Sequence, residues 1–354
     1  MVKAQVYTVA KIFDGEIKES DLKLHEEELP ALEDGEYLAE SLYLSVDPYM
    51  RAYAKGYTIG QVMIGIQVAK IIESKNPKFQ VGDIVVGNFG WRSHTIVQEP
   101  NNYFAYLLPE IGTLSTSLAL GVLGAPGVAA YFGFLDICRP LEGDTVVVSG
   151  AAGAVGSHVG QIAKIKGCRV IGITGCEDKA RWLESLGFDY VINYKTTKNL
   201  AEDLKVGAPK GIDCYFDNVG GDMSTTVMEL MNQGGRVSVC GSISSYNAKN
   251  PIRAAIVQPA IVSKQLELKG FVSLQFRDRW MEAIGQNLKW VQENKLKYRE
   301  TITDGFENAT KALIGVLKGE NVGKAVVRTK SAHVEHESVD FNHALSKFRK
   351  IQGL

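Results

Sequence analysis

Cysteine is scarce in this chain, and none of it is spaced for a structural purpose. Five cysteines stand at Cys138, Cys168, Cys176, Cys214 and Cys240 among 354 residues, an odd, scattered set without a C-x-x-C pair. That excludes a disulfide framework and fits a reducing, cytoplasmic setting. Before residue 123 there is no cysteine at all, and the only histidines are His25 and His94. A zinc dehydrogenase needs three protein ligands and an open position, so no metal is expected. An excess of one charge is also missing: 39 Lys and Arg meet 40 Asp and Glu, a net charge of -1. Such a balance makes no field for nucleic acid or anionic lipid, so neither is expected as a partner. The polar start, MVKAQVYTVAKIFDG, lacks a signal-peptide core. One uncharged run, 113–135, has the length to span a bilayer. Gly121, Gly124, Pro126, Gly127 and Gly133 interrupt it, which predicts buried helices near a domain junction instead. No internal repeat or low-complexity linker is found.

What is present is enough apolar sequence, 45 % of the chain, to build two cores. Residues 1–122 read as mainly β, with runs such as EYLAESLYLSV, QVAKIIES and GDIVVGN set between Gly, Pro and Asp turns. From residue 123 to 299 the pattern changes. TVVVSG, RVIGIT, YVIN, IDCYFDNV, GRVSVCG and LELKGFV alternate with helical stretches, predicting a doubly wound parallel sheet, an α/β Rossmann domain. Helical periodicity over 279–294 and 306–317 and the strand-like GKAVVRT follow, with 300–329 returning to the first domain. Residues 330–354 form a polar extension holding His333, His336 and His343. A short amphipathic helix fits VDFNHALSKFRKIQ, and the rest reads as a solvated tail, not a metal site.

The strongest local signal is TVVVSGAAGAVGSHVGQIAKIKG, an apolar strand, a glycine-rich turn and a helix in order. Ala151, Gly153 and Gly156 occupy the dinucleotide fingerprint positions, with Ala151 replacing the first glycine. Gly153 lets backbone approach a pyrophosphate, Gly156 lets helix pack on strand, and the helix N–H groups hold the anion. The next strand ends at Thr174, Gly175 and Cys176, where an NAD enzyme usually carries a carboxylate. A neutral tip followed by Lys179 and Arg181 suits a 2′-phosphate, hence NADP(H), although both cations also read as ordinary helix-surface residues. Asn218 follows the strand IDCYFD, where open parallel sheets bind ligands, and Asp217 reads as a turn cap or a site residue. Tyr246, in the loop SISSYN, is either a packed aromatic or a proton donor. Tyr49 in DPYMR is similarly open, and Cys240 reads as a small buried apolar residue.

SVDPYMR at 45–51, LGAPGVAAYFG at 123–133, AAGAVGSHVGQIAKIKGC at 151–168, LGFDYVINYKT at 186–196, FDNVGGD at 216–222 and CGSISSYN at 240–247 resemble the zinc-independent medium-chain reductases. Within these, the chain is similar to the prostaglandin reductases, or leukotriene dehydrogenases, and the plant alkenal double-bond reductases, over residues 1–329. The resemblance implies a GroES-like substrate domain beside the Rossmann domain and a homodimer. It implies NADPH-dependent reduction of the carbon–carbon double bond of α,β-unsaturated ketones and aldehydes. It assigns Gly153, Ala154, Val155 and Gly156 to the pyrophosphate and Lys179 to the 2′-phosphate. Tyr194 and Asn218 line the adenosine and nicotinamide halves. Cys240, Gly241, Ser242, Ile243, Ser244, Ser245 and Tyr246 border the nicotinamide, as do Phe271, Val272 and Ser273. Asn321 closes over the cofactor from the other domain, and Tyr246 and Tyr49 face the substrate. Two departures stand out: the extension 330–354, and WRSHTIVQE at 91–99 in place of the family's aromatic-acidic pattern.

The implied reaction is 1,4-addition of hydride to an enone or enal, with Tyr246 and the nicotinamide ribose 2′-OH donating to the developing enolate oxygen. The physiological substrate and the source of the α-carbon proton are left open. The rival readings are a quinone reductase on the same fold and a catalytically silent NADPH-binding protein of the lens-crystallin or RNA-element-binding kind.

Overall fold

The computed structural model describes residues 2–98, 104–250, 253, 255–330 and 345–349. It divides into two compact units, one of residues 1–120, 301–320 and 325–354, the other of residues 121–300 and 321–324.

The first unit opens with an antiparallel ribbon of β1 (Lys3–Val9) and β2 (Leu22–Glu28). β3 (Glu36–Ser45), the short helix α1 (Tyr49–Ala52), β4 (Gln67–Ser74), β5 (Ile84–Gly87), β6 (His94–Gln98) and β7 (Tyr106–Leu107) follow. β3 pairs antiparallel with both β4 and β6, β4 with β5, and β5 with β7. Flanked on both sides, β3 is buried over most of its length, which is why EYLAESLYLS does not alternate strictly. Tyr37 and Phe79 pack with rings tilted at 32° and centroids 4.7 Å apart in one core. Met50, Trp91, Phe306 and Leu313 share another.

In the second unit, the uncharged run continues into α2 (Ala125–Phe132) and one π-helical turn, Gly133–Cys138, closed by Arg139 in the left-handed region at φ 46°. The earlier part of that run is a buried 3-10 turn, Thr116–Leu120, in the first unit. No described helix is long and apolar enough to cross a membrane. β8 (Thr145–Ser149), α3 (Ala154–Ile165), β9 (Arg169–Thr174), α4 (Glu177–Ser185), β10 (Tyr190–Asn193), α5 (Leu200–Gly207), β11 (Ile212–Asp217), α6 (Gly221–Glu229), β12 (Met231–Val239), α7 (Gln258–Lys264), β13 (Glu267–Gly270) and α8 (Trp280–Gln292) follow. The six strands pair in parallel in the order β10-β9-β8-β11-β12-β13. Counted from β8, that is the 3-2-1-4-5-6 order of dinucleotide-binding sheets, which reverses between β8 and β11. β8 is central and buried at every position, so its apolar run TVVVS has no polar face. β13 lies at the edge and is exposed throughout.

β14 (Glu300–Asp304), α9 (Ala309–Leu317) and β15 (Lys324–Arg328) lead back to the first unit, where β15 pairs antiparallel with β3. The short piece 321–324 instead groups with the second unit. In the C-terminal extension, 345–349 are helical, and Phe348 is buried against Phe104 and Tyr106, each 6.1 Å away between centroids. Lys330 pairs with Glu40 at 2.6 Å. The short amphipathic helix expected within 339–352 is seen over 345–349, where Phe348 supplies an apolar ring large enough to dock a segment too short to hold a helix alone. His333, His336 and His343 lie outside the described residues.

Candidate active site

The carboxyl ends of β8, β9, β11 and β12 carry most of the residues singled out from the sequence. After β8 the chain turns through residues 150–153 into α3. Gly153 is the N-cap in extended conformation, and no side chain caps the first turn. A Cβ at Gly156 would fall 2.5 Å from the Gly150 carbonyl oxygen and 2.8 Å from the Ala151 Cα, so only glycine lets α3 pack this closely. A Cβ at Gly153 would meet only the Gly150 oxygen, at 3.3 Å, a tight contact rather than a clash. The α3 N-terminus thus presents backbone N–H groups, the arrangement that favours an anion.

At the tip of β9, Thr174 is buried and Gly175 lies under the Tyr194 ring, whose Cε1 is 2.9 Å from where a Cβ would stand. Arg181 turns away, paired with Asp178 and Glu177 on the exposed face of α4. Lys179 is half-buried instead, and burial lowers its pKa, with the nearby Lys195 charge adding to that effect. Two cations held near one neutral tip suit a dianionic ligand. The sequence reading missed Lys195; its place directly after Tyr194 in the loop leaving β10 was the available signal.

The loops leaving β11 and β12 are joined by hydrogen bonds. The Asp217 carbonyl accepts from Cys240 N–H at 2.8 Å and Gly241 N–H at 3.2 Å. Ile243 N–H donates to Asn218 O, and Ser244 N–H to Val219 O, both at 3.2 Å. Ser244 Oγ adds a 2.6 Å bond to Val219 O, and Ser245 Oγ bonds Ser242 O at 2.7 Å. Tyr246 folds back over this loop, its hydroxyl accepting Ser242 N–H at 3.1 Å. Asn218 Nδ2 donates to Ser149 O at 2.7 Å, linking this loop to the end of β8. The Cys240 thiol is pushed up to about 12 by burial and by the charge of Asp217, so it stays protonated and is not a nucleophile.

Phe271 lays its ring on Gly133, where a Cβ would be 2.3 Å away, and neighbours Phe216 and Phe276 at 6.1 Å each. Val272 and Ser273 follow it, with Val272 exposed. Asn321, expected to reach over from the other domain, belongs to the second unit itself. Its Nδ2 donates to Gly323 O at 2.8 Å, and Gly323 N–H donates to Ala152 O at 2.8 Å, so it is tied to the glycine-rich turn. Tyr49 belongs to the first unit. Its ring lies 5.7 Å from Tyr53, and burial, reinforced by Asp47, raises its pKa well above that of a free phenol. Among the described residues, no three His, Cys, Asp or Glu side chains gather to hold a metal.

The family described as the N-terminal domain of oxidoreductase matches residues 5–104, and the zinc-binding dehydrogenase family matches residues 154–289. Prostaglandin reductase 1 of Bos taurus is 49 % identical over 329 residues, covering 93 % of this chain and 100 % of the relative. The NADPH-dependent curcumin reductase of Escherichia coli (strain K12) is 41 % identical over 323 residues, 87 % of this chain and 92 % of the relative. The solved structure of CurA in complex with NADPH from Vibrio vulnificus aligns with a TM-score of 0.86 at 37 % identity, covering 93 % of this chain and 100 % of that one. The chain belongs to the zinc-independent medium-chain dehydrogenase/reductases, in the prostaglandin reductase branch.

Proposed function

We propose that this protein reduces the carbon–carbon double bond of α,β-unsaturated ketones and aldehydes with NADPH. The observation that carries this is the 49 % identity to a prostaglandin reductase along that relative's whole length. A curcumin reductase and a (+)-pulegone reductase among the other relatives extend the substrate class to enones of different shapes.

The residues fit the cofactor. The uncapped α3 N-terminus, with the side-chain-free Gly153 at its start, makes a cradle for a pyrophosphate backed by Ala154, Val155 and Gly156. Lys179 and Lys195 hold the 2′-phosphate, with Tyr194 beside them over Gly175. Asn218, the loop from Cys240 to Tyr246, Phe271 to Ser273, and Asn321 border the nicotinamide half. Bound there, NADPH supplies the hydride that adds to the β-carbon of the substrate. The Tyr246 hydroxyl donates to the carbonyl oxygen as negative charge gathers on it. Its bond from Ser242 N–H fixes the hydroxyl's position and polarises its O–H. Tyr49, in the first unit, keeps its proton at neutral pH.

The reading extends to a cytoplasmic homodimer. Five free cysteines support a reducing compartment. The exposed edge strand β13, with Leu268 and the nearby Val262 and Leu274 open to solvent, supports pairing with a second copy. The function is tested by NADPH consumption across enals, enones, oxo-prostaglandins and quinones, with NADH as the second cofactor. Enals and enones are expected to be turned over best, with NADPH preferred. Lys179→Ala should weaken NADPH by about 1.5–3 kcal/mol and leave NADH nearly unchanged. Turnover of quinones alone would make the protein a quinone reductase, and NADPH binding without any turnover would make it a silent binder.

A further inference from the structure

The sheet order reverses between β8 and β11, and one carboxylate sits in that join. Asp217, the last residue of β11, is 2 % exposed. Its Oδ1 accepts from Ser149 Oγ at 3.0 Å, Tyr215 Oη at 2.8 Å, Val219 N–H at 3.0 Å and Gly220 N–H at 2.9 Å. Its Oδ2 accepts from Ser224 Oγ at 2.7 Å, one turn into α6. Those five donors are all neutral hydroxyl or backbone groups. The backbone oxygen of the same residue holds Cys240 and Gly241 at the end of β12. Ser149 completes the arrangement, because its Oγ also accepts Asn218 N–H at 3.0 Å.

Asp217 therefore binds together the ends of three adjacent strands, β8, β11 and β12. The loops that leave them carry the glycine-rich turn, Asn218 and the segment from Cys240 to Tyr246. Gly220 and Gly221 both have positive φ, 71° and 64°, so the loop after Asp217 turns sharply by a backbone path that glycine takes without strain. We infer that Asp217 is a positioning residue for the cofactor. Acting through Ser149 and the 218–220 backbone, it holds the pyrophosphate turn and the nicotinamide loops in one register. It touches no reacting atom. This inference rests on the NADPH reading above.

The test compares Ser149→Ala, Ser224→Ala, Asp217→Asn and the Ser149→Ala/Asp217→Asn pair by NADPH titration, followed through protein tryptophan fluorescence, with thermal midpoints measured alongside. Ser149→Ala and Ser224→Ala each delete one hydroxyl bonded to the same carboxylate, but only Ser149 joins two of the cofactor loops. Ser149→Ala is expected to raise the NADPH dissociation constant about tenfold, while Ser224→Ala stays within about twofold despite a similar loss of thermal midpoint. The pair should bind no more weakly than Asp217→Asn alone, because both changes break one network. Equal NADPH affinity in Ser149→Ala and the parent overturns the proposal, as does an equal loss in Ser224→Ala. Should Asp217→Asn fail to fold, the two serine variants still decide the matter. A parent protein that does not bind NADPH overturns the cofactor reading as well, which separates that failure from failure of Asp217 alone.

Discussion

Tyr246 and His158 are two single side chains whose surroundings make opposite demands. The Tyr246 hydroxyl rests over Ser242 N–H, at the edge where parallel sheets present reactive groups. Tyr246→Phe keeps the ring and removes the donor. Turnover of one good enone should fall about 10²–10³-fold, the loss typical of one oxyanion donor, with NADPH affinity nearly constant. Unchanged turnover would move the role to Tyr49. His158 lies inside α3, 3 % exposed, and burial alone pushes its imidazole down to about 4. It is neutral in the fold, whereas the unfolded chain protonates near about 6.5. Above that value both states are neutral and the group contributes nothing to pH dependence. Below it the unfolded chain alone gains a proton, so stability falls with pH until the folded group titrates near 4. Between pH 7 and pH 5 the parent should lose about 2 kcal/mol more than His158→Val in denaturant unfolding. Equal losses would show that His158 titrates normally. The place of Tyr246 past a strand's end was legible from the sequence, whereas that of His158 was not, since SHVGQ gives no sign that the histidine points inward.

At the scale of elements, the strand–turn–helix from β8 to α3 was legible almost in full. An apolar run, a glycine-rich turn and a periodic helix are local patterns, and the parallel sheet they imply is the one that forms. The two fingerprint glycines now separate by function. A Cβ at Gly156 collides with backbone of the preceding turn, whereas one at Gly153 meets a single backbone oxygen in a tight contact of 3.3 Å. Gly156→Ala should cost about 1–3 kcal/mol of stability and lose cofactor binding with it. Gly153→Ala should cost less stability than Gly156→Ala and still weaken NADPH binding, by crowding the pyrophosphate. Thermal unfolding beside NADPH titration distinguishes them, and normal binding by Gly153→Ala would remove that glycine from the cradle. The tip of β9 was half legible. Its neutral residues were plain, but the division of labour between Lys179 and Arg181 was not, because ion pairing along α4 depends on which way each side chain turns.

At the scale of the whole molecule, the β13 edge of the second unit's sheet is a surface open to pairing. β13 offers an unpaired strand edge with Leu268 37 % exposed. Such an edge is expected to pair with its copy. Light scattering should give twice the chain mass for the parent and a shift toward the single-chain mass for Leu268→Glu. A parent that stays single-chain at micromolar concentration would refute the dimer.

Chain-local information by itself determined the order of strands and helices, the glycine-rich turn, the neutral tip that favours NADP(H) and the resemblance that led to the enone chemistry. These are properties of neighbouring residues: hydrophobic periodicity, turn chemistry and the absence of a carboxylate at one position. What only the tertiary structure decided involves partners far apart in the chain. Ser149 meets Asp217 across 68 residues. Asn321 joins the glycine-rich turn through Gly323 and Ala152, in the unit the sequence reading did not assign it to. Phe348, in an extension whose composition reads as polar, is buried against Tyr106, because removing one aromatic ring from water is favourable wherever an apolar surface receives it. Burial and long-range hydrogen bonding arise only when the chain closes on itself, so no local pattern announces them.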